Sequence, residues 1–294
     1  MRSWLAPVAV TLFASIAVPA LATDADHDPN SGRPLPPGTR HKSTSPITDK
    51  FYVEGIYYPA HVKTFLQVNP HGSPAGEFGT SLSAERDLGQ ASRLNQGRME
   101  LMFRLRERNK IRIDWLEVDR TATHQINQTI NFGNETFAAT SLLQSEIDWR
   151  IFTMTYTYSI FHNDRFELGI GIGIHLLQAE AQAKTIPRRV FDVPQRQDVS
   201  GAGAFPTIPL DFAFRISQRW SLTWRGQYFH AAVGKFDGWL ADIHEDVQYR
   251  WKPNFALGVG YSSIRAKLAL NSGNFPGQFH MSVEGPEAFF RVSF

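Results

Sequence analysis

The sequence predicts an all-β fold, a closed antiparallel transmembrane β-barrel of about ten strands, within a range of eight to twelve. Three observations predict it. Apolar and polar residues alternate with a period of two from residue 51 onward, the pattern of strands with one apolar face. Short turns alternate with longer loops along the chain, as they do at the two rims of such a barrel. After residue 22, no run of residues is apolar enough to span a membrane as a helix.

The composition excludes several other classes of protein. Aromatic residues make up 13% of the 294 residues, which argues against intrinsic disorder. The mean hydropathy of −0.28 argues against a bundle of membrane helices. Because the chain has no cysteine, a disulfide scaffold, a thiol nucleophile and cysteine-bound zinc are excluded. A formal net charge of +2 gives no electrostatic argument for nucleic acid, and no nucleic-acid partner is expected.

The N-terminus has the pattern of an export signal. Arg2 precedes the apolar stretch Leu5 to Val18, and Ala20-Leu21-Ala22 is a small-residue cleavage site. A transmembrane anchor is the alternative, but the stretch is too short and contains proline. We therefore predict a signal peptide over residues 1–22. Residues 23–50 are polar and rich in Pro, Ser, Gly and Asp, so a disordered arm is predicted there, with its Asp24–Asp28 cluster solvated rather than metal-bound.

The barrel is predicted to occupy residues 51–294. Short turns are expected at 107–110, 162–165, 217–219 and 252–254, and longer loops near 70–93, 124–140 and 185–202. The ten predicted strands lie near residues 51–69, 94–106, 109–123, 141–161, 165–183, 203–216, 219–234, 239–251, 255–271 and 277–294. Pro59 leaves open whether the first segment is one strand or two. An even number of strands places both chain ends on the periplasmic side.

Several strands change phase halfway along their length. The apolar residues from Leu168 to Leu176 occupy even positions, whereas Ala179, Ala181 and Ala183 occupy odd positions. Two explanations remain open at this point. A β-bulge would shift the register, whereas a strand that continues above the bilayer need not keep an apolar outer face. The length of the strands favours a wall that projects beyond the membrane.

Charged residues dominate the face opposite the apolar one in the periplasmic half. The side chains predicted to line the interior there are Arg98, Glu100, Arg104, Arg112, Asp114, Asp211, Arg215, Arg225, Asp242, His244, Asp246, Arg250 and Arg291. Their signs are mixed, and buried charges must be paired or hydrated. A ten-stranded barrel is narrow, so a salt-bridged plug is favoured over an open channel. Gly169, Gly171 and Gly173 are predicted to face the same interior.

No nucleophile elbow, zinc-protease, phosphate-loop or dinucleotide motif is present, so the protein is predicted not to be an enzyme. No cofactor, metal site or catalytic residue is predicted either. His244, between Asp242 and Asp246, is interpreted as a hydrogen-bonded interior histidine rather than a proton or metal site. His230 is interpreted as an interfacial residue.

The sharpest catalytic alternative is His280 with Ser282, which a strand places on one face near Glu284 and Glu287. The pair is similar to the H-x-S pair of outer-membrane lipid A deacylases, although Val283 stands where that family has asparagine. Those enzymes need the pair on the face toward lipid. Here the residues predicted to face lipid are Phe279, Met281 and Val283. A structural role is therefore favoured for His280 and Ser282.

The chain ends at Phe294, with Val292 and Phe290 on the same face of the last strand. This resembles the C-terminal signature that the barrel-assembly machinery recognises in outer-membrane barrels. Aromatic residues also lie beside the predicted periplasmic turns, as an interfacial girdle requires; they are Trp220, Tyr249, Trp251 and Phe255. From about residue 51, the chain resembles the small outer-membrane β-barrels of Gram-negative bacteria, the OmpA-like and OmpW-like group in the broad sense.

The resemblance implies a place in the bacterial outer membrane and contact with its lipid and lipopolysaccharide, but it carries over no functional residue. Three functions remain open. The first is a non-enzymatic barrel that is structural or a narrow passive channel for small solutes. The second is a lipid-modifying hydrolase that uses His280 and Ser282. The third is a surface-binding module whose longer loops bind an extracellular ligand of unknown identity.

Overall fold

The computed structural model describes residues 45–71, 79–187, 194–233, 236–270 and 277–294. The predicted signal peptide and residues 23–44 of the predicted arm lie outside the described residues. Within the described part, no helix is long and apolar enough to cross a membrane.

Strands make up almost all of the regular structure. In chain order, the elements are β1 (Phe51–Val68), β2 (Leu82–Ser83), α1 (Ala84–Asp87), β3 (Arg93–Arg106), β4 (Asn109–Gln125), β5 (Ile130–Phe132), β6 (Glu135–Phe137), β7 (Leu142–His162), β8 (Phe166–Thr185), β9 (Arg196–Arg215), β10 (Trp220–Val233), β11 (Phe236–Lys252), β12 (Phe255–Leu270) and β13 (Gly277–Ser293). Ten of these strands are long and form the wall, whereas β2, β5 and β6 belong to the connections.

The wall is a closed antiparallel barrel. Each long strand pairs with the next along the chain, and β13 pairs with β1. The predicted fold class is therefore confirmed, and the strand ends agree closely with the prediction except in β9. That strand begins at Arg196 rather than near residue 203, because its upper part pairs with β8 up to Lys184. Much of the loop predicted over 185–202 is therefore strand.

Pro59 does not split β1, which is one continuous strand. The register of β1 against β13 matches Tyr57 with Ala288 and His61 with Glu284. Pro59 therefore lies opposite Pro286, and since neither residue has a backbone N–H, the ladder lacks rungs there and resumes in the same register on both sides. Pro59, which left the strand count open, is accommodated because Pro286 lies opposite it. We call this pairing of β1 with β13 the seam of the barrel.

The phase change of the long strands arises without a bulge in the middle of the wall. Among the described pairs, register shifts occur only at 104/106, 159/161 and 250/252, beside the short turns. In β7, every odd residue from Leu143 to Ser159 is buried in one alternation. The explanation by bulges is therefore wrong, and the strands do continue above the apolar outer band.

The interior changes character where the outer face does. In β7, the buried odd residues are apolar in the upper half, including Ile147, Trp149 and Ile151, and are Thr or Ser in the lower half. The outward residues do the reverse, with exposed Met154 and Tyr156 low on the strand and charged residues high on it. The lower interior is thus polar behind an apolar wall, and the upper interior is an apolar core behind a polar wall.

The last strand corrects one prediction. Met281 and Val283 are 0% exposed and point into the barrel, and Phe279 points the same way and packs against the core. The sequence pattern predicted that these three residues face lipid, and that prediction is wrong. His280 and Ser282 have the same parity as Phe290 and Phe294, so they lie on the outer face. The reason is the apolar upper core, which recruits the apolar residues of β13 inward.

Both ends of the barrel are filled by the connections and by the segment before β1. At the end of the longer loops, predicted to be extracellular, Leu82, Leu88 and Phe137 from the first two long loops are buried in the apolar core. At the end of the short turns, predicted to be periplasmic, Ile47 is 1% exposed, and side-chain atoms of Asp49 and Arg250 lie 2.6 Å apart. Residues 45–49 were predicted to belong to the disordered arm, but they pack inside the barrel.

Candidate functional site

The middle of the barrel holds a network of buried ion pairs that joins strands on opposite sides of the wall. Arg98 of β3 lies between Asp114 of β4, 2.6 Å away, and Asp242 of β11, 3.2 Å away. Arg225 of β10 bonds Glu100 of β3 and approaches Asp246 of β11 within 3.4 Å. Because such pairs reach across the lumen, they fill its cross-section rather than line its rim.

The network continues toward the periplasm. Arg112 lies 3.2 Å from Glu100 and 3.1 Å from Asp211 of β9. Lys110 lies 3.4 Å from Glu167 and 3.5 Å from Asp211. Each cation thus has more than one carboxylate, the arrangement that buried charges need. Arg104 completes this layer 2.7 Å from Glu167.

Two histidines lie at the upper edge of the network. His244 is 3.2 Å from Asp242 and 3.5 Å from Glu287 of β13. His175 of β8 is 0% exposed and lies 3.4 Å from the same Asp242. His244 is therefore an interior residue, as interpreted, but both of its ring nitrogens lack a hydrogen-bond partner among the described residues, and its carboxylate neighbours lie at ion-pair distance only. No group of three His, Asp or Glu side chains in the described part of the chain is arranged to hold a metal ion.

The structure buries ten of the thirteen predicted interior residues. Arg104, Arg112 and Arg215 are only partly buried, and Arg104 and Arg112 still form ion pairs in the network. The role of the set as the lining of a conduction path stays a prediction. Sequence reasoning missed several buried members, which are Asp49, Tyr52, Glu54, Lys110, Glu167, His175 and Glu287. Their parity was the available signal, since Glu54 shares the inward positions of β1 and Lys110 those of β4.

Little space remains between these side chains. A void of about 30 Å³ lies among Tyr52, Arg112 and Asp211, and another of about 10 Å³ lies among Arg98, Thr153 and His244. Voids of that size admit single water molecules rather than a continuous water column. The wall packs closely at two of the three inward glycines, because a Cβ at Gly171 would lie 1.8 Å from the carbonyl oxygen of Tyr156 and a Cβ at Gly173 would lie 2.7 Å from the Thr207 hydroxyl, whereas a Cβ at Gly169 would meet no atom closer than 3.6 Å.

A larger pocket opens in the apolar upper half. It has a volume of about 100 Å³ and lies above the ion-pair network. Its walls come from two groups of neighbouring strands, β7 to β9 and β12, β13 and β1, and the apolar residues among them include Leu66, Ile147, Leu177, Val199, Leu268 and Phe279. The pocket therefore presents a mainly apolar surface at the mouth of the barrel that is predicted to be extracellular.

Aromatic rings form a belt around the periplasmic rim of the outer face. Trp220 and Tyr249 lie 5.0 Å apart between ring centroids, and Trp251 and Phe255 lie 6.0 Å apart. Phe255 also stacks against Phe290 at 6.0 Å. This belt contains the four aromatic residues that the sequence assigned to a girdle, and it marks the lower membrane interface.

High on the outer wall, three carboxylates face one another across neighbouring strands. Asp148 of β7 is directly opposite Asp119 of β4 and Glu180 of β8. Partial burial, and then the charges of Asp119 and Glu146, raise the pKa of Asp148. Like charges in direct opposition destabilise a sheet, so this row is a feature that packing of the wall does not explain.

The catalytic alternative on β13 is not assembled. Glu284 bonds Arg265, and Glu287 points into the barrel toward His244. Both His280 and Ser282 are described, and the structure shows no hydrogen bond between them or from either one to a carboxylate. Partial burial and the neighbouring Lys267 and Arg265 lower the pKa of His280.

The other singled-out histidine lies on the outside. His230 is exposed on the outer face of β10, 4.0 Å from Asp237 of β11. It makes no contact with the interior network among the described residues.

Comparisons with known proteins address the fold. Neither a model of a known protein family nor a curated protein sequence matches this chain. Among solved structures, the chain is similar to the outer membrane protease OmpT of Escherichia coli, with a TM-score of 0.52 and 10% sequence identity over 86% of this chain and 100% of that chain.

Similarities with lower scores are to the outer membrane protein OprG of Pseudomonas aeruginosa and to the attachment invasion locus protein Ail of Yersinia pestis. OprG gives a TM-score of 0.32 and 10% identity over 82% of this chain and 96% of that chain. Ail gives a TM-score of 0.30 and 6% identity over 82% and 99%. The similarity to OmpT shows that the chain shares its fold with an outer-membrane protein of known structure, in agreement with the resemblance drawn from the sequence.

Proposed function

We propose that this protein is a non-enzymatic barrel of the bacterial outer membrane whose interior does not conduct. The observation that supports this most directly is the ion-pair network, because Arg98 and Arg225 connect opposite walls and the two voids found among the described side chains of the network are water-sized. The apolar core above the network closes the lumen a second time. A narrow channel is the function that this proposal sets aside.

Single-channel conductance in a planar bilayer tests the closed interior. We expect the refolded wild-type protein to give no discrete openings, while its heat-modifiable migration shows that it is folded. The variant with Asp242→Asn and Asp246→Asn alters charges inside the barrel, and the matched control with Asp237→Asn and Glu245→Gln alters charges on the outer face of the same strand. Ion-selective openings in the wild type that change only in the first variant would overturn the proposal.

The non-enzymatic part of the proposal is tested on the membrane lipid. We expect lipid A from cells with and without the protein to have the same mass spectrum, because His280 and Ser282 have no carboxylate partner among the described residues. A mass change that depends on the protein and disappears in Ser282→Ala would instead establish the lipid-modifying hydrolase.

A second candidate function follows from the apolar pocket of about 100 Å³ at the extracellular mouth. An apolar pocket of this size fits one small hydrophobic molecule, such as a substituted benzene ring. Binding of fluorobenzene, followed by fluorine NMR, is the test. We expect Ala181→Phe to abolish binding because Ala181 lines the pocket, and the adjacent outward Gln182→Phe to leave it unchanged. Equal binding by both variants would reject the pocket as the site.

A further inference from the structure

The outer face of three adjoining strands carries a group of cations. Arg265 of β12 is directly opposite Ser282 of β13, which is directly opposite Lys63 of β1. In the next row, Lys267 is opposite His280, and His280 is opposite Phe65. We call Lys63, Arg265 and Lys267 the basic patch. Adjacent strands lie about 5 Å apart, so the three cations fall within the footprint of one headgroup.

The basic patch lies just above the apolar band of the outer wall. The exposed outward residues of β12 are Leu257, Val259 and Tyr261, and Arg265 follows Tyr261 by two outward positions. At about 3.3 Å per residue along a tilted strand, this places the cation roughly 10 Å above the ring. On β1, Lys63 follows the exposed Tyr57 by three outward positions. This is the level at which lipid headgroups meet the wall.

The charges of the basic patch are available for a ligand. Among the described residues, no carboxylate lies within ion-pair distance of Lys63 or Lys267, and Arg265 is 53% exposed at its side chain while it bonds Glu284. The ring of His280 packs against Trp239, with centroids 5.9 Å apart, and so adds an aromatic border. The carboxylate row of Asp119, Asp148 and Glu180 lies on other strands of the wall.

We propose that the basic patch binds the phosphorylated headgroup of an outer-leaflet lipid, the lipid A part of lipopolysaccharide. A phosphate anion complements lysine and arginine donors, and a guanidinium holds it in a fixed geometry. The Ser282 hydroxyl, between Arg265 and Lys63, supplies a further donor. This site depends on the placement of the barrel in the outer membrane and not on whether its interior is closed.

The test is calorimetric titration of the refolded protein with bisphosphorylated lipid A in detergent. We expect the triple variant Lys63→Ala, Arg265→Ala, Lys267→Ala to bind at least about tenfold more weakly, a loss of about 1.4 kcal/mol. Lipid A from which both phosphates have been removed should bind the wild type no better than it binds this variant. A triple variant that binds bisphosphorylated lipid A as tightly as the wild type would overturn the proposal.

The matched control removes three cations from another part of the wall, with Arg150→Ala, Lys184→Ala and Arg196→Ala. These residues face outward on β7, β8 and β9, so the net charge changes equally while the basic patch is intact. We expect unchanged affinity. An equal loss in the control would mean attraction by net charge alone and would overturn the site. Displacement of lipid A by equimolar inorganic phosphate would identify a simple anion site and overturn the lipid assignment.

A spectroscopic readout covers the case in which the triple variant fails to fold. Partial burial, and then the charges of Lys267 and Arg265, lower the pKa of His280 in the free protein. A bound phosphate would neutralise their effect, so we expect the NMR titration of His280 in the wild type to shift to higher pH when bisphosphorylated lipid A is added. No shift on saturation would contradict binding at this place.

Discussion

Arg225 shows what a single charged side chain does inside the barrel. It is 7% exposed, bonds Glu100 on the opposite wall and lies 3.4 Å from Asp246. Glu100 shares this guanidinium with that of Arg112, whereas Asp246 has no other cation within ion-pair distance among the described residues. Its energetic role is therefore larger than that of an ion pair in water, because removing it leaves uncompensated charge in a place that water hardly reaches.

We therefore expect Arg225→Met to lower the free energy of unfolding by about 3–5 kcal/mol, measured by urea unfolding in lipid vesicles. The matched control is Arg150→Met, which removes an exposed arginine that bonds Glu117 on the outer wall. Exposed pairs contribute little, so the control should change stability by less than about 1 kcal/mol. Equal effects of the two substitutions would show that the interior pair is as hydrated as the exterior one.

At the scale of single residues, the sequence predicts which side chains face the interior wherever apolar and polar residues alternate clearly around them. Arg98, Glu100 and Arg104 stand out because Met99, Leu101 and Phe103 separate them. Glu54 does not stand out, because the inward positions around it on β1 hold Tyr52 and Ile56. Where aromatic and aliphatic residues occupy both faces, alternation alone does not assign a side, and only the closed wall does.

The upper half of β13 points its apolar residues into the barrel, although the alternation around them predicted that they face lipid. On β13, Met281 and Val283 point into the upper core, and His280 and Ser282 point out. We expect Met281→Ala to lower the free energy of unfolding by about 2–5 kcal/mol, because it leaves a cavity in a packed core. Ser282→Ala should change it by less than about 0.5 kcal/mol. Reversed magnitudes would contradict the facing of this strand.

The row of Asp119, Asp148 and Glu180 belongs to three strands together. The pKa of Asp148 is raised, so its charged form is disfavoured in the fold, and its contribution to stability is present at low pH and lost as pH rises through the folded pKa. We expect Asp148→Asn to stabilise the protein at pH 7 by less than about 1 kcal/mol. The gain should disappear in acid, as urea unfolding at both pH values would show. A gain that is equal at both pH values would exclude charge repulsion as the cause.

The sequence contained the information for the facing of β13, but the inference needs the whole strand. Counting back from Phe294 in steps of two leads through Phe290 to Ser282 and His280, if no bulge intervenes. The local apolar residues pointed the other way. They mislead because a barrel that rises above the bilayer exchanges its two faces: its outside becomes polar, and its inside becomes the core.

For the molecule as a whole, the height of the bilayer on the wall is open to direct measurement. The chain has no cysteine, so single cysteines report their own position. We expect Gln178→Cys on the upper outer face of β8 to react with a membrane-impermeant maleimide on intact cells. Ile172→Cys, exposed six residues lower on the same face, should stay unlabelled because lipid covers it. Labelling of both positions would place the membrane lower than the apolar band indicates.

The closed wall of the barrel was predictable from the sequence, whereas the packing of the connecting segments inside it was not. Strand number and turn positions follow from a period-two pattern that a closed sheet imposes on every strand. The burial of Leu82, Phe137 and Ile47 depends on how connections of different lengths fold back into the mouth and the base. No periodicity encodes such packing, because each segment is adapted to one particular space.

The opposed prolines at the seam also have a consequence for the order in which the wall forms. β1 and β13 lie at opposite ends of the barrel sequence, so their pairing has the longest loop to close and comes late. Because Pro59 faces Pro286, the hydrogen-bond ladder between β1 and β13 has two separate parts. One part includes Tyr57 and the residues of β1 before it, and the other includes His61 and the residues after it. We therefore expect the pairing of β1 with β13 to be the last strand pairing of the barrel to form.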